Sequence, residues 1–169
     1  MSSDDRDKID LENLAKMVGM LVIQWGSAEQ TLELAMGVLF QAPRRPAEKN
    51  IPQNLKNKLK YLTRCADFMP PLAPFKEQIK KLVADFERVS KLRHSLIHGA
   101  ASSINHVDGV YEFGKIDHVN GVQQHRSVLL DVRDFPTHMH AFIELGRDAN
   151  AVAATIFKKY GPRKQWISS

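Results

Sequence analysis

Leu11, Leu14, Val18, Leu21, Val22, Trp25, Leu32, Met36 and Leu39 recur at helical spacing, which predicts one long amphipathic helix over roughly residues 8 to 40. A chain that commits so much of its length to one apolar stripe must cover that stripe with other elements. Asp7 or Asp10 is placed to cap this helix, with acids near its N-terminus where they are favourable. Glu29 falls in the same stripe, between Trp25 and Leu32, where the pattern calls for an apolar group.

The rest of the chain supplies those elements. Six of the eight prolines lie between Pro43 and Pro74, at both ends of a short helix marked by Leu55, Leu59, Leu62 and Ala66. A third helix is expected from about Phe75 to His98, and a last one from Phe135-Pro136 to Tyr160, stopped by Gly161-Pro162. Between these two, Gly109, Gly114 and Gly121 punctuate short stretches such as Val110-Tyr111-Glu112-Phe113 and Ser127-Val128-Leu129-Leu130. Asp108-Gly109 and Asn120-Gly121 are dipeptides of tight hairpin turns, so residues 99–131 read as a β-hairpin insert of two or three strands. The expected fold is mainly α: a four-to-five-helix up-and-down bundle with a small antiparallel β insert between the third and last long helices. Residues 1–169 form a single domain on this reading, with a basic tail at 161–169 that carries Trp166.

One charge stands out in the third helix. Ile79, Leu82, Phe86, Val89, Arg93 and Leu96 step by three and four, so an arginine occupies a core-facing position. A guanidinium stays charged and is rarely buried unpaired, so it should meet a carboxylate, a phosphate or a partner's polar surface. The simplest arrangement has Glu29 neutralise it in the core. His98 follows in the final helical turn, and Gly99 comes next. A second Arg-x4-His spacing, Arg133 to His138, contains Phe135-Pro136 and lies on no continuous stripe. Spacing alone is therefore a weak signal, and the helical context of the first copy is what distinguishes it.

Arg93-His94-Ser95-Leu96-Ile97-His98, with a polar residue after the arginine and a glycine after the histidine, resembles the signature of HEPN (higher eukaryote and prokaryote nucleotide-binding) domains. The resemblance extends weakly to Trp25-Gly26-Ser27-Ala28-Glu29 on the first helix. It implies a single HEPN-like helical domain that dimerises. Members are often metal-independent endoribonucleases of toxin or defence systems, and sometimes inactive binding modules.

Composition agrees with a soluble protein. The chain has 43% hydrophobic and 25% charged residues, ordinary for a globular fold. One cysteine, Cys65, cannot form an internal disulfide. The acidic N-terminus lacks signal-peptide features, and the apolar run Met17 to Ala28 is shorter than a membrane span. A cytoplasmic protein with no membrane association is the expectation. A net charge of +5 favours polyanions. The stretch from Arg44 to Arg64 concentrates Arg44, Arg45, Lys49, Lys56, Lys58, Lys60 and Arg64 against the single acid Glu48. It is either a solvated helix face or an RNA-tracking surface, to which Lys91 would add.

The chemistry open to these residues is limited. Phosphate-binding glycine loops, paired cysteines and a nucleophile elbow are absent from the sequence. His94 and His98 share the i, i+4 spacing of zinc ligands, but no third ligand is evident, so neither a metal site nor a cofactor is expected. In the ribonuclease reading, a ribose 2′-hydroxyl attacks the adjacent phosphorus. His98 serves as acid or base, Arg93 steadies the charge developing on the phosphoryl oxygens, and His94 or Ser95 orients the phosphate. Arg93 and His98 lie about 140° apart on an ideal helix, so a homodimer would bring two motifs together. Two other readings use the same sequence: a non-catalytic nucleic-acid or protein binding module, and a helical subunit whose partner, such as an antitoxin nucleotidyltransferase, supplies the activity.

Overall fold

The computed structural model describes residues 3–105 and 109–161. His106, Asp108, Trp166 and the basic tail beyond Gly161 lie outside them. The described chain is mainly helical, with four α-helices and a small antiparallel sheet between the third and fourth: α1 (Ser3–Gln41), α2 (Leu55–Phe68), α3 (Lys76–His98), β1 (Ala100–Asn105), β2 (Val110–Val119), β3 (Val122–Asp131) and α4 (Phe135–Tyr160). No helix among the described residues is long and apolar enough to cross a membrane.

One boundary corrects the sequence reading. α1 begins at Ser3 rather than near residue 8, so Asp7 and Asp10 lie inside the helix and not at its N-cap position. No proline or glycine interrupts the sequence from Ser3 to Asp10, so nothing in it stops the helix from starting earlier. The other helices start where local chemistry puts them. Asn54 caps α2 by accepting from the Asn57 backbone N–H at 2.9 Å. A 3₁₀ turn over Pro70–Phe75 delivers the chain into α3.

The chain divides into two compact units. α1, α3 and α4 each contribute a part to both. The first comprises Met1–Trp25 and Glu87–Glu144. Its buried residues include Leu14, Leu21 and Trp25 of α1, Val89 and Leu96 of α3, Tyr111 and Phe113 of β2, Leu130 of β3 and Phe142 of α4. The strands are ordered β1-β2-β3. Register runs from Val110↔Asp131 to Val119↔Val122, closed by Asn120 (φ 53) and Gly121 (φ 78), the two positive φ values that a type I′ turn requires. Gly99 joins α3 to β1 in a space that admits no side chain. A Cβ there would stand 2.4 Å from the Ser95 carbonyl oxygen and 3.1 Å from Phe113 Cβ.

The second unit comprises Gly26–Phe86 and Leu145–Ser169. Its core draws Leu32, Met36 and Leu39 from α1, Leu59, Leu62 and Cys65 from α2, Ile79, Leu82 and Phe86 from α3, and Leu145, Val152 and Ile156 from α4. Polar ties fix neighbouring helices at its surface. Thr31 Oγ1 of α1 donates to Asn150 Oδ1 of α4 at 3.1 Å. Lys81 of α3 bridges its own Asp85 at 2.9 Å and Asp148 of α4.

Candidate functional site

The last two turns of α3 carry the motif, all of it within the first unit. Arg93 is half-buried, and its guanidinium carbon lies 5.8 Å from the centre of the Trp25 ring. Its Nε is buried without a hydrogen-bond partner. Trp25 in turn meets Phe142 edge-on, with ring centres 6.4 Å apart. The arginine in the apolar stripe thus lies against an aromatic ring, where cation–π attraction partly offsets its desolvation. Glu29, half-buried on α1, belongs to the second unit.

His94 and His98 occupy the exposed side of the same helix end. Their ring centres are 4.6 Å apart and the planes are tilted by 51°, a proximity that i, i+4 spacing on one helix face permits. Ser95 is half-buried and donates its hydroxyl to the Lys91 carbonyl at 3.1 Å, which leaves its lone pairs as acceptors. Lys91 itself is exposed. Among the described residues no group of three or more His, Cys, Asp or Glu side chains is arranged to hold a metal. Arg133 of the second Arg-x4-His spacing sits on a 3₁₀ turn before α4. Its side chain is engaged by Asp131 at 2.5 to 3.0 Å, which holds the Asp131 carboxyl below its usual range.

The basic stretch of the second unit separates into three kinds of residue. Arg44, Lys56 and Lys60 are exposed, Arg44 in a left-handed conformation at φ 57 just past α1. Arg45 and Arg64 are half-buried against aromatic rings. Arg45 lies 4.1 Å from the Phe40 ring centre, with its terminal nitrogen 3.5 Å from the Pro46 and Glu48 carbonyls. Arg64 lies 5.6 Å from the Tyr61 ring centre and is ion-paired to Glu48. Lys58 is different again: only 5% exposed, its ammonium is bonded to Glu33 of α1, so it does not lie on the solvent face with the others. Charge counting along the sequence missed this, although Lys58 is adjacent to Leu59 in the apolar stripe of α2.

Two aromatic neighbours of the arginines could not be paired with them from the sequence. Trp25 was legible as a core residue but not as the neighbour of Arg93, because a helical stripe does not say which other stripe it meets. Tyr61 appears beside Leu62 as one more apolar residue, yet its ring organises Arg64, and it packs 6.2 Å from the Phe40 ring. Comparison with protein-family models, curated proteins and solved structures finds no match for this chain.

Proposed function

We propose that the chain is a HEPN-type, metal-independent endoribonuclease whose reacting groups sit at the C-terminal end of α3. The observation that carries this reading is the pair of exposed imidazoles, His94 and His98, 4.6 Å apart in the turns that also hold Arg93. Imidazole is the side chain suited to give and take protons near neutral pH. His98 removes the proton of a ribose 2′-hydroxyl while water protonates the departing 5′-oxygen, or donates its own proton to that oxygen while water takes the proton of the 2′-hydroxyl. The new 2′-O–P bond forms as the P–O5′ bond breaks, leaving a 2′,3′-cyclic phosphate and a 5′-hydroxyl. Arg93 supplies cationic donors to the phosphoryl oxygens, and Ser95 and His94 orient the phosphate. Two chains related by a two-fold axis complete the site.

The test is cleavage of a labelled RNA in EDTA, with the termini identified. His98→Ala should lower the rate by about 10²- to 10⁴-fold, and DNA should resist because it lacks the 2′-hydroxyl. A His98→Ala chain that cleaves at the parental rate, or activity restored only by added metal, overturns the proposal.

One observation favours the second reading, a non-catalytic nucleic-acid or protein binding module. Arg93 rests against Trp25 with its Nε shielded from solvent, as a packing residue would. In that case His98→Ala retains full biological effect, and RNA or a protein partner such as an antitoxin binds without being cut.

A further inference from the structure

A cavity of about 660 Å³ lies between the segment from Glu48 to Pro52 and one face of α2. The helix lines it with Asn57, Lys60, Tyr61, Thr63 and Arg64, and four of these, spaced i, i+3, i+4 and i+7, share one rigid face. Three cations, Lys49, Lys60 and Arg64, line this space against one acid, Glu48. That acid is already committed to Arg64. Lys49 and Lys60 are exposed, and no carboxylate pairs with either among the described residues. Arg64 is held in one orientation by Glu48 at one nitrogen and by the Tyr61 ring beneath it, while its Nε is buried without an acceptor. Such an under-satisfied, pre-oriented cation calls for an explanation in a folded protein.

We propose that this cavity binds a small-molecule phosphate monoester. Two lysines and a fixed guanidinium ask for more acceptors and more charge than a carboxylate carries. A phosphate monoester brings three oxygens and a charge of about −1.5 to −2 at neutral pH. Lysine meets it as a point charge and arginine as a directed donor. The volume exceeds what a bare phosphate needs and lies within the roughly 300–1,000 Å³ typical of small-molecule sites. Ile51 and Pro52 offer apolar surface for the organic part, and the amides of Asn50 and Asn57 offer hydrogen bonds to its polar edge. The site is independent of the α3 histidines: a His98→Ala chain keeps it whatever becomes of RNA cleavage.

The experiment is an NMR titration of the full chain with phenyl phosphate, glycerol 3-phosphate and a ribonucleoside 5′-monophosphate. An RNA oligonucleotide with hydroxyls at both ends serves as the competing source of phosphate. At least one monoester should shift the backbone amides of residues 48–51 and 57–64 saturably. Lys60→Gln and Lys49→Gln, both at exposed positions, should each weaken that binding by about tenfold, the loss expected for one charged hydrogen bond, with unchanged melting temperature. Three results overturn the proposal: no saturable shift in this region with any monoester at millimolar concentration, affinity unaltered in both lysine variants, or shifts produced by the oligonucleotide alone. The last would assign the surface to internal phosphates of an RNA strand.

Discussion

The guanidinium carbon of Arg93 lies 5.8 Å from the Trp25 ring centre, and the same indole takes the edge of Phe142. An arginine in an apolar stripe is thereby accommodated by packing, which predicts how its neighbours respond to substitution. Trp25→Leu removes both ring contacts and leaves unfilled volume at a position only 3% exposed. It should cost about 2–4 kcal/mol in urea unfolding. Arg93→Lys keeps the charge and most of the stem, so about 1 kcal/mol is the expected loss. RNA cleavage should fall far more than stability does in the lysine variant, because an ammonium cannot reproduce the directed fork of a guanidinium. Parallel loss of the two would assign Arg93 to packing alone.

The ion pair of Lys58 and Glu33 is asymmetric: the lysine side chain is 7% exposed and the glutamate 57%. Removing the acid strands a cation in the core, whereas removing the cation leaves a carboxylate that water can solvate. Glu33→Ala should therefore cost about 2–3 kcal/mol, less than for a fully buried pair, while Lys58→Met should be near neutral. Equal losses in denaturant melts of the two variants would contradict this picture.

How much of this was legible in the sequence depended on whether a signal was local. The stripes of α1, α3 and α4 repeat over many turns, and Asn120-Gly121 has the two residues a type I′ turn demands, so helix order and the hairpin were readable. The start of α1 was not, since a helix boundary without a proline or a glycine leaves little mark in the sequence. Which charges are spent inside the fold was equally invisible. Lys58 and Lys60 look alike in a basic run, and only tertiary packing puts Glu33 beside one and solvent beside the other. At the candidate site, the placement of His94 beside His98 followed from i, i+4 spacing, whereas the ring against Arg93 required knowing which helices meet.

Stability should decline at alkaline pH for a reason located in α2. Burial pushes the Cys65 thiol up to about 11 from 9.0, and burial followed by the nearby thiol pushes the Tyr61 hydroxyl up to about 12 from 10.0. Both groups are neutral in the folded and unfolded states below pH 9, so their contribution is complete there. Above that, the unfolded thiol ionises first while the folded one keeps its proton, so stability falls as pH rises from about 9 to 11. Tyr61 extends the fall to about 12. Cys65→Ala should lower the melting temperature at every pH yet flatten its slope between pH 9 and 11. A slope unchanged from the parent would place the alkaline sensitivity elsewhere.

The two-fold arrangement proposed for catalysis needs a surface at the end of α3 where two chains can meet. Within one chain Arg93 turns toward Trp25, whereas His98 is exposed on the helix end. Leu96 is buried in its own chain at 6% exposure, but Ile97, next to His98, is 37% exposed. On the proposed mechanism, an apolar residue exposed beside His98 is where a second copy would pack, bringing its own arginine and histidine with it. Ile97→Asp should then give a chain of monomer mass in light scattering at micromolar concentration and remove RNA cleavage together with dimerisation. Because the residue is exposed, the substitution should change unfolding by no more than about 0.5 kcal/mol in the monomer. If each site is built from one chain's Arg93 and the other chain's His98, mixing Arg93→Ala with His98→Ala chains leaves one intact composite in each mixed dimer and recovers activity that neither variant has alone. A parental chain that is monomeric while it cleaves RNA at full rate would show that one helix end suffices.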